Sequence, residues 1–396
     1  MSPSNRPSLP PFQSSAAVQR IEGMSLRPSF AKVPGIISLA MGEPDFDTPR
    51  EIVNAAIDAM RSGHTRYIDP VGDSELRELL AAEVSRVAGS FFGPDQILVT
   101  HGSSAGLAAA ILAVVNPGDR VVIPEPSYSL YADLVAFAGG IPVFVPLRPD
   151  YHLDFAALEP ALAGARLLVL CTPGNPTGAV YRADEWARIA QLIGASQAYV
   201  LTDEAYYALV YDDATFVSGL VIDALRERLI YAQTFSKAYA MTGWRLGYVA
   251  GPPAIVKAAG VIHRAFNGTS NAFVQRAGLA AIAGGTKHAR AWLEQFAARR
   301  SRALDRLRSI EGLTVAAPEG GFYLFARYAA PLASVDIAAR LFAGGVAVRA
   351  GREYGPSGEG HFRISFATSD ENLAAGIDRI ERVFAALPAP ALSVRA

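Results

Sequence analysis

The sequence predicts an α/β protein in which a mostly parallel, doubly covered sheet is followed by a smaller α+β domain. Between about Gln96 and Gly285, short apolar runs recur, and most of the gaps between them are long enough for a crossover helix. After Gly285 the pattern changes to a long Arg- and Ala-rich helical stretch (288–310), then strand-like segments and a final helix (370–386). A chain of 396 residues also exceeds what one hydrophobic core usually holds, so about two domains are expected.

The sheet prediction depends on five apolar runs: Ile97–Val99, Val121–Ile123, Leu167–Leu170, Ala198–Leu201 and Leu229–Ala232. Ligands of open parallel sheets bind beyond the carboxyl ends of the strands. The unusual residues of this chain follow directly after these five runs, in the segments 100–106, 124–128, 172–178, 203–206 and 234–237. We therefore expect these segments to form one ligand site.

Composition favours a small molecule as the ligand. The 36 basic and 37 acidic residues are mixed along the chain and give a net charge of −1, so no basic stripe indicates nucleic acid or an anionic membrane. The single cysteine, Cys171, excludes a disulfide framework and a multi-cysteine metal site, and we expect no metal. The N-terminus lacks the apolar core of a secretory signal and no stretch has eighteen consecutive apolar residues, so a cytoplasmic location is expected.

The first loop of the site, Gly102-Ser103-Ser104, has the small residues and hydroxyls that bind an anion at the start of a helix. Taken alone it is weak evidence, because an ordinary strand-to-helix turn with a serine cap is the commoner explanation of such a loop. It matches neither the GxGxxG nor the Walker pattern, which disfavours a nicotinamide or nucleoside-triphosphate site.

Two residues have chemistry that a buried setting would change. Asp203 ends an apolar run, so it needs a cationic or N–H partner; it suits a pyridinium nitrogen, although a helix cap or a structural ion pair would also explain it. Lys237 follows another apolar run, where its pKa would fall and its amine could form a Schiff base with a carbonyl. The alternative for Lys237 is a surface lysine with a buried stem.

The joint order of motifs is more specific than any single motif. The chain contains Ser38-Leu39-Ala40-Met41-Gly42-Glu43-Pro44, Tyr67 ahead of Gly72, the Gly-Ser-Ser loop, Tyr128, Asn175-Pro176-Thr177-Gly178, Asp203-Glu204-Ala205-Tyr206, Ser236-Lys237 with Arg245, and Phe362-Arg363-Ile364-Ser365. In this order it resembles the pyridoxal-phosphate-dependent aminotransferases of fold type I, class I/II (the aspartate aminotransferase superfamily). The resemblance implies a seven-stranded-type cofactor domain at 46–287, a small domain at 288–396, and an N-terminal segment, 1–45, that packs on the small domain.

The resemblance also implies a role for each motif residue. Lys237 would form the Schiff base with pyridoxal 5′-phosphate, and Lys237, Asp203 and Tyr206 would be the catalytic residues. The cofactor would contact Ser103, Ser104, Ala105, Tyr128, Asn175, Asp203, Tyr206, Thr234, Lys237, Arg245 and Tyr67. The substrate carboxylate would contact Arg363, Asn175 and Gly42. Tyr67 matches a tyrosine that reaches the cofactor of the neighbouring subunit, so a homodimer with shared active sites is expected.

The implied reaction is a ping-pong transfer of an amino group from an L-amino acid to a 2-oxo acid. The alternative is a C–S β-lyase or a cyclopropane-synthase-type lyase, because these enzymes share most of the motifs and the initial abstraction of the α-proton. A pyridoxal-phosphate-sensing transcription regulator is a weaker alternative, since only about 35 residues precede the Ser38 motif and no basic patch is visible.

Overall fold

The computed structural model describes residues 12–22, 33–212 and 214–387. The strands are β1 (Ile37–Ser38), β2 (Ile97–Thr100), β3 (Arg120–Glu125), β4 (Ile141–Pro146), β5 (Ala165–Cys171), β6 (Tyr199–Asp203), β7 (Leu229–Thr234), β8 (Gly247–Ala250), β9 (Leu313–Val315), β10 (Tyr323–Tyr328), β11 (Val346–Ala347), β12 (Arg349–Ala350) and β13 (His361–Ser365).

The helices are α1 (Ala16–Glu22), α2 (Arg50–Arg61), α3 (Ser74–Ala88), α4 (Gly102–Val114), α5 (Leu130–Phe137), α6 (Phe155–Ala161), α7 (Ala183–Gly194), α8 (Phe235–Ala238), α9 (Pro253–Asn267), α10 (Ala272–Gly284), α11 (Lys287–Arg308), α12 (Ser334–Ala343) and α13 (Asp370–Ala385). Local sequence explains several of their ends. Asp73 caps α3 by accepting hydrogen bonds from the backbone of Glu75 and Leu76, and Gly89 ends this helix with a φ of 67°.

The central sheet has seven strands in the order β2-β8-β7-β6-β5-β3-β4. Strands β2 to β7 run parallel where they neighbour one another, and β8 is antiparallel to both of its neighbours, β2 and β7. This arrangement confirms the predicted α/β class with a mostly parallel sheet. The carboxyl ends of β2, β3, β5, β6 and β7 lie at one edge of the sheet, and each leads into one of the expected site segments.

Both faces of this sheet are covered by apolar packing. On one face, strand residues such as Val99, Leu168 and Val200 join a cluster that includes Leu76 of α3 and Trp186 of α7. On the other face, Ile123, Val169 and Leu201 pack against residues of α4 and α5. Burial on both sides explains why these strands are continuous apolar runs rather than alternating ones.

The C-terminal part of the chain has its own antiparallel sheet, in the order β12-β13-β10-β9. It packs with α11, α12 and α13 around a cluster that contains Phe296, Phe322 and Phe362. Leu39 joins this cluster, and β1 pairs in parallel with β11. The division of the chain at residues 45 and 287 stays a prediction, and residues 1–11 and 23–32 of its first segment lie outside the described part.

Two strands of the central sheet were missing from the sequence prediction. Strand β4 contains Pro142 and Pro146, which disfavour a central strand, and the structure places β4 at the edge of the sheet, where proline is tolerated. Strand β8 has four residues and follows a motif segment, so its apolar run was too short to indicate a strand.

Candidate active site

A cavity of about 240 Å³ lies at the carboxyl edge of the sheet. It brings together eleven of the thirteen residues predicted from the sequence: Gly42, Ser103, Ser104, Tyr128, Asn175, Asp203, Tyr206, Thr234, Lys237, Arg245 and Arg363. Ala105 belongs to the first turn of α4 but is not part of the lining, and Tyr67 is 94% exposed and outside the cavity.

The Lys237 amine lies inside this cavity and has an altered acidity. Its Nζ donates a hydrogen bond of 2.5 Å to the carbonyl oxygen of Gly42. Burial lowers the pKa of Lys237 to about 8, with Arg245 and Arg363 acting in the same direction and Glu43 opposing them. The lowered pKa agrees with the direction expected from the sequence, and it leaves a larger neutral fraction of the Lys237 amine near pH 8 than an exposed lysine would have.

Asp203 ends β6 and is 5% exposed. Its Oδ2 accepts a hydrogen bond of 2.8 Å from the Tyr131 hydroxyl, and its Oδ1 accepts one of 3.2 Å from the backbone of Ala205. Burial raises the pKa of Asp203, while these two hydrogen bonds and the charge of Lys237 oppose that rise. The expected N–H partner is present, and the phenol of Tyr131 was not foreseen.

The anion-binding end of the cavity is formed by the start of α4 and by Arg245. Ser103 and Ser104 occupy the first turn of α4, where backbone N–H groups and the helix dipole favour a negative charge. Arg245 has a φ of 55°, which is costly for a residue with a side chain. Its guanidinium lies so close to Gly102 that a Cβ there would approach Nη2 to 2.4 Å. Glycine leaves room for this contact, and the φ of 70° at Gly102 also disfavours a residue with a side chain.

The short helix α8 holds Lys237 in place. Thr234 caps it by accepting a hydrogen bond of 3.1 Å from the backbone of Ser236, and its own hydroxyl donates to Ser236 Oγ at 2.9 Å. Both hydroxyls line the cavity. A Cβ on Gly247, which pairs with Thr234 across β7 and β8, would come within 2.6 Å of the Ser103 nitrogen. Glycine at position 247 therefore allows β8 to pass close to the backbone of Ser103 at the start of α4.

Arg363 extends from β13 into the opposite end of the cavity and is 4% exposed. Its Nη1 donates to Asn175 Oδ1 at 3.0 Å and its Nη2 to the carbonyl oxygen of Ala40 at 2.5 Å. Its Nε is buried and has no hydrogen-bond partner among the residues that the structure describes. An arginine with an unsatisfied buried donor is suited to a carboxylate ligand, which would accept from that donor.

Two tyrosines line the cavity beside Arg363. The hydroxyls of Tyr206 and Tyr323 are 2.9 Å apart, and the Tyr323 ring lies under the Arg363 guanidinium with 4.0 Å from Cζ to the ring centroid. A Cβ on Gly42 would overlap the Tyr323 hydroxyl, so glycine is required there as well. The predicted Tyr206 is thus positioned by a residue that sequence reasoning missed.

Sequence reasoning missed seven polar residues of the lining: Ser129, Tyr131, Ser236, Tyr323, Arg349, Glu353 and Tyr354. Tyr131 had a usable signal, because it follows Tyr128 at helical i,i+3 spacing and the two rings are 5.6 Å apart. Tyr323 is 117 positions from its partner Tyr206, so no local pattern could reveal that contact.

In the part of the chain that the structure describes, no group of three or more His, Cys, Asp or Glu side chains is arranged to hold a metal ion. None of the helices in the same residues has both the length and the apolar character needed to cross a bilayer.

The cavity fits pyridoxal phosphate on its own chemistry. It has an anion-binding end at Ser103 and Arg245, a buried carboxylate for a ring nitrogen at Asp203, and a partly neutral amine for an aldehyde at Lys237. The orphaned Nε of Arg363 adds a place for a second carboxylate beside these groups.

Comparison with known proteins identifies a family. Residues 34–380 match the model of aminotransferase class I and II. A bifunctional aspartate aminotransferase and glutamate/aspartate-prephenate aminotransferase of Petunia hybrida is 36% identical over 380 residues, covering 91% of this chain and 78% of the relative. An aspartate aminotransferase of Pyrococcus horikoshii is 34% identical, covering 89% and 91%.

Solved structures agree with this assignment. An aromatic aminotransferase of Pyrococcus horikoshii superposes with a TM-score of 0.87 at 34% identity, covering 93% of this chain and 99% of that one. A tetra mutant of the aspartate aminotransferase of Thermus thermophilus gives 0.83 at 34% identity, covering 92% and 98%. The relatives named here are aminotransferases, so the lyase alternative is not favoured. The chain belongs to the class I and II aminotransferases and is a pyridoxal-phosphate-dependent transaminase.

Proposed function

We propose that this cavity holds pyridoxal phosphate and that Lys237 is the residue through which an amino group passes from an L-amino acid to a 2-oxo acid. The observation that carries the proposal is the position of the Lys237 amine, which shares one cavity with Asp203, Arg245 and Arg363. When bound, the cofactor supplies an electron sink that stabilises negative charge at the substrate α-carbon.

The residues of the chain divide the remaining tasks. Ser103, Ser104, Thr234 and Arg245 bind the phosphate, and the charge of Asp203 favours a proton on the pyridine nitrogen. The Tyr131 hydroxyl donates to Asp203 and thereby favours the ionised form of this carboxylate against the effect of burial.

Arg363 orients the substrate through its α-carboxylate, with its guanidinium fixed by Asn175 and Ala40. Lys237 Nζ then accepts the proton of the α-carbon in its neutral form and returns it in its ammonium form. With a pKa of about 8, Lys237 can exist both as the neutral amine and as the ammonium ion at physiological pH. Tyr206 and Asn175 also line the cavity and would donate hydrogen bonds to the cofactor ring oxygen.

Borohydride reduction followed by peptide mapping tests the assignment of Lys237. We expect the mass of the cofactor on the peptide that contains Lys237, and none on the same peptide of Lys237→Ala. Lys257→Ala, which removes an exposed lysine of α9, is the control and should keep the label on Lys237. A label on another lysine of the wild-type protein would remove the central residue of the proposal.

The second part of the proposal is a homodimer in which Tyr67 contacts the cofactor phosphate of the partner subunit. Tyr67 is 94% exposed, and Val261 and Phe266 of α9 are 53% and 66% exposed. A partner subunit that covered these side chains would remove their apolar area from water.

Mixing of inactive variants tests shared sites. Lys237→Ala and an inactive Tyr67 variant are refolded together in equal amounts, so that half of the dimers are mixed. In a shared site, each mixed dimer has one site with both defects and one intact site, and activity recovers to roughly a quarter of wild type. If both residues act within one subunit, no mixing ratio restores activity.

A further inference from the structure

Two charged side chains of the cavity lining have no role in the proposed chemistry. After the residues assigned to the cofactor and the α-carboxylate are set aside, Arg349 and Glu353 remain. Both belong to the segment that runs from β12 into the following turn. They therefore stand where the side chain of an amino-acid substrate has to be accommodated.

Arg349 is the cross-strand neighbour of Arg363. The two residues lie directly opposite each other in the antiparallel pair of β12 and β13. Opposite residues of such a pair project from the same face, with Cβ atoms about 5 Å apart. Two arginines consequently face one cavity side by side, an arrangement that would attract a ligand with two carboxylates.

Glu353 changes this charge pattern. Its Oε2 accepts a hydrogen bond of 3.0 Å from Arg349 Nη1, and the side chains are 15% (Arg349) and 5% (Glu353) exposed. A buried pair of this kind is costly to separate, because each charge would lose its compensation. A distal carboxylate of a substrate would have to displace Glu353 or lie beside its negative charge.

We propose that Glu353 sets the substrate preference of this enzyme by occupying Arg349, so that amino acids with neutral side chains are favoured over aspartate and glutamate. This inference rests on the proposed function, since it assumes that Arg363 binds the α-carboxylate. A neutral side chain leaves the Arg349–Glu353 pair intact and can contact the ring of Tyr354, which lines the cavity with its centroid 5.3 Å from Arg363 Cζ.

A purely structural role for Glu353 makes a different prediction. Like charges opposite each other in a sheet are destabilising, so Glu353 could serve only to compensate Arg349 beside Arg363. Its removal would then lower the thermal stability and leave the substrate preference unchanged.

Binding of unreactive ligands separates the two accounts without depending on turnover. Holoenzyme is titrated with maleate, a dicarboxylate, and with 3-phenylpropanoate, a monocarboxylate with a neutral ring, by isothermal titration calorimetry. Glu353→Gln keeps the volume of the side chain but removes its charge. We expect the ratio of the Kd for 3-phenylpropanoate to the Kd for maleate to be at least tenfold higher in this variant than in the wild type. Arg349→Met/Glu353→Gln is the matched control and should lose this gain.

Turnover gives the second readout. The ratio of kcat/KM for phenylalanine to kcat/KM for aspartate should exceed ten in the wild type and fall at least tenfold in Glu353→Gln, chiefly through a lower KM for aspartate. A wild type that prefers aspartate, or a maleate affinity unchanged by Glu353→Gln, overturns the inference. A wild type that binds both ligands but transaminates no amino acid instead refutes the proposed function. If Glu353→Gln folds poorly, Arg349→Met/Glu353→Gln decides by comparison with the wild type. Because Glu353 already occupies Arg349, removing both side chains should leave the ratio of maleate affinity to 3-phenylpropanoate affinity nearly unchanged, whereas a tenfold loss of maleate affinity would show that Arg349 is available to a carboxylate in the wild type and would overturn the inference.

Discussion

Replacing Lys237 by methionine should stabilise the protein freed of its cofactor, even though it abolishes activity. Burial lowers the pKa of Lys237 from 10.5 to about 8, so the folded state resists protonation of this amine more than the unfolded chain does. At about 1.4 kcal/mol per pKa unit, the folded state loses about 3 kcal/mol near pH 7. Methionine has a similar length and no charge, and it escapes this cost.

The stability difference between Lys237→Met and the wild type should depend on pH. Above pH 10.5 the amine is neutral in both states and costs nothing; as the pH falls toward 8 the unfolded chain takes up the proton first, so the cost grows and is complete below pH 8. The advantage of Lys237→Met should therefore shrink from about 3 kcal/mol at pH 7 to about 1.5 kcal/mol at pH 9.5. The half-buried position of Lys237 makes these figures upper values.

Urea unfolding at fixed protein concentration measures this difference, since concentration matters for an oligomer. Both proteins are stripped of cofactor, and Lys257→Met, which removes an exposed lysine, is the control. A stability difference between wild type and Lys237→Met that stays constant from pH 7 to 9.5, or one that grows with pH, would refute the reasoning about burial.

Three further predictions concern hydrogen bonds and charges seen in the structure. Arg363→Ala should lower kcat/KM for α-amino acids by about 2–4 kcal/mol, and Arg363→Lys should recover little because it lacks the planar fork; wild-type kinetics in the lysine variant would contradict the carboxylate assignment. Tyr131→Phe removes the hydrogen bond that favours ionised Asp203. The acid limb of the pH profile of kcat should therefore move to higher pH, and the activation free energy for kcat should rise by about 1 kcal/mol. An acid limb that does not move would argue against an effect of Tyr131 on the ionisation of Asp203. Buried His152 lies 2.9 Å from Glu185 and 3.4 Å from Glu319, and these carboxylates raise its pKa to about 9 although the Arg182 guanidinium is 3.0 Å from Nε2, so the protonated ring stabilises the fold fully below about pH 6.5 and loses this effect as the pH rises through 9. His152→Gln should therefore cost up to about 3 kcal/mol in urea unfolding at pH 6 and little at pH 10, and a cost that does not fall with pH would contradict the charge on His152.

The sequence predicted the parts of the fold that have a strong local pattern. The final helix was expected at 370–386 and spans Asp370–Ala385, because its apolar residues recur at helical spacing and Ser369 provides the cap. Strand β4 was missed because its prolines outweigh its apolar residues in any local reading, whereas its place at the sheet edge is a property of the whole fold.

The site residues that could be predicted from the sequence are those in motifs whose order along the chain matches the family. Lys237, Asp203 and Arg363 each follow or occupy a strand, and the sheet brings them together. The Arg349–Glu353 pair could not be foreseen as part of the cavity, since its placement depends on the register of β12 against β13. The assignment of Tyr67 to a partner subunit stays a prediction.

The most direct test of the central claim is a single-turnover measurement without any 2-oxo acid. Wild-type holoenzyme is mixed with each common amino acid in turn, and the released 2-oxo acid and ammonia are quantified per active site. We predict that at least one amino acid releases one equivalent of its 2-oxo acid and no ammonia, with the nitrogen retained by the enzyme until a 2-oxo acid is added, and that Lys237→Ala releases neither. Release of ammonia over many turnovers, with no retained nitrogen, would contradict amino-group transfer and identify a lyase.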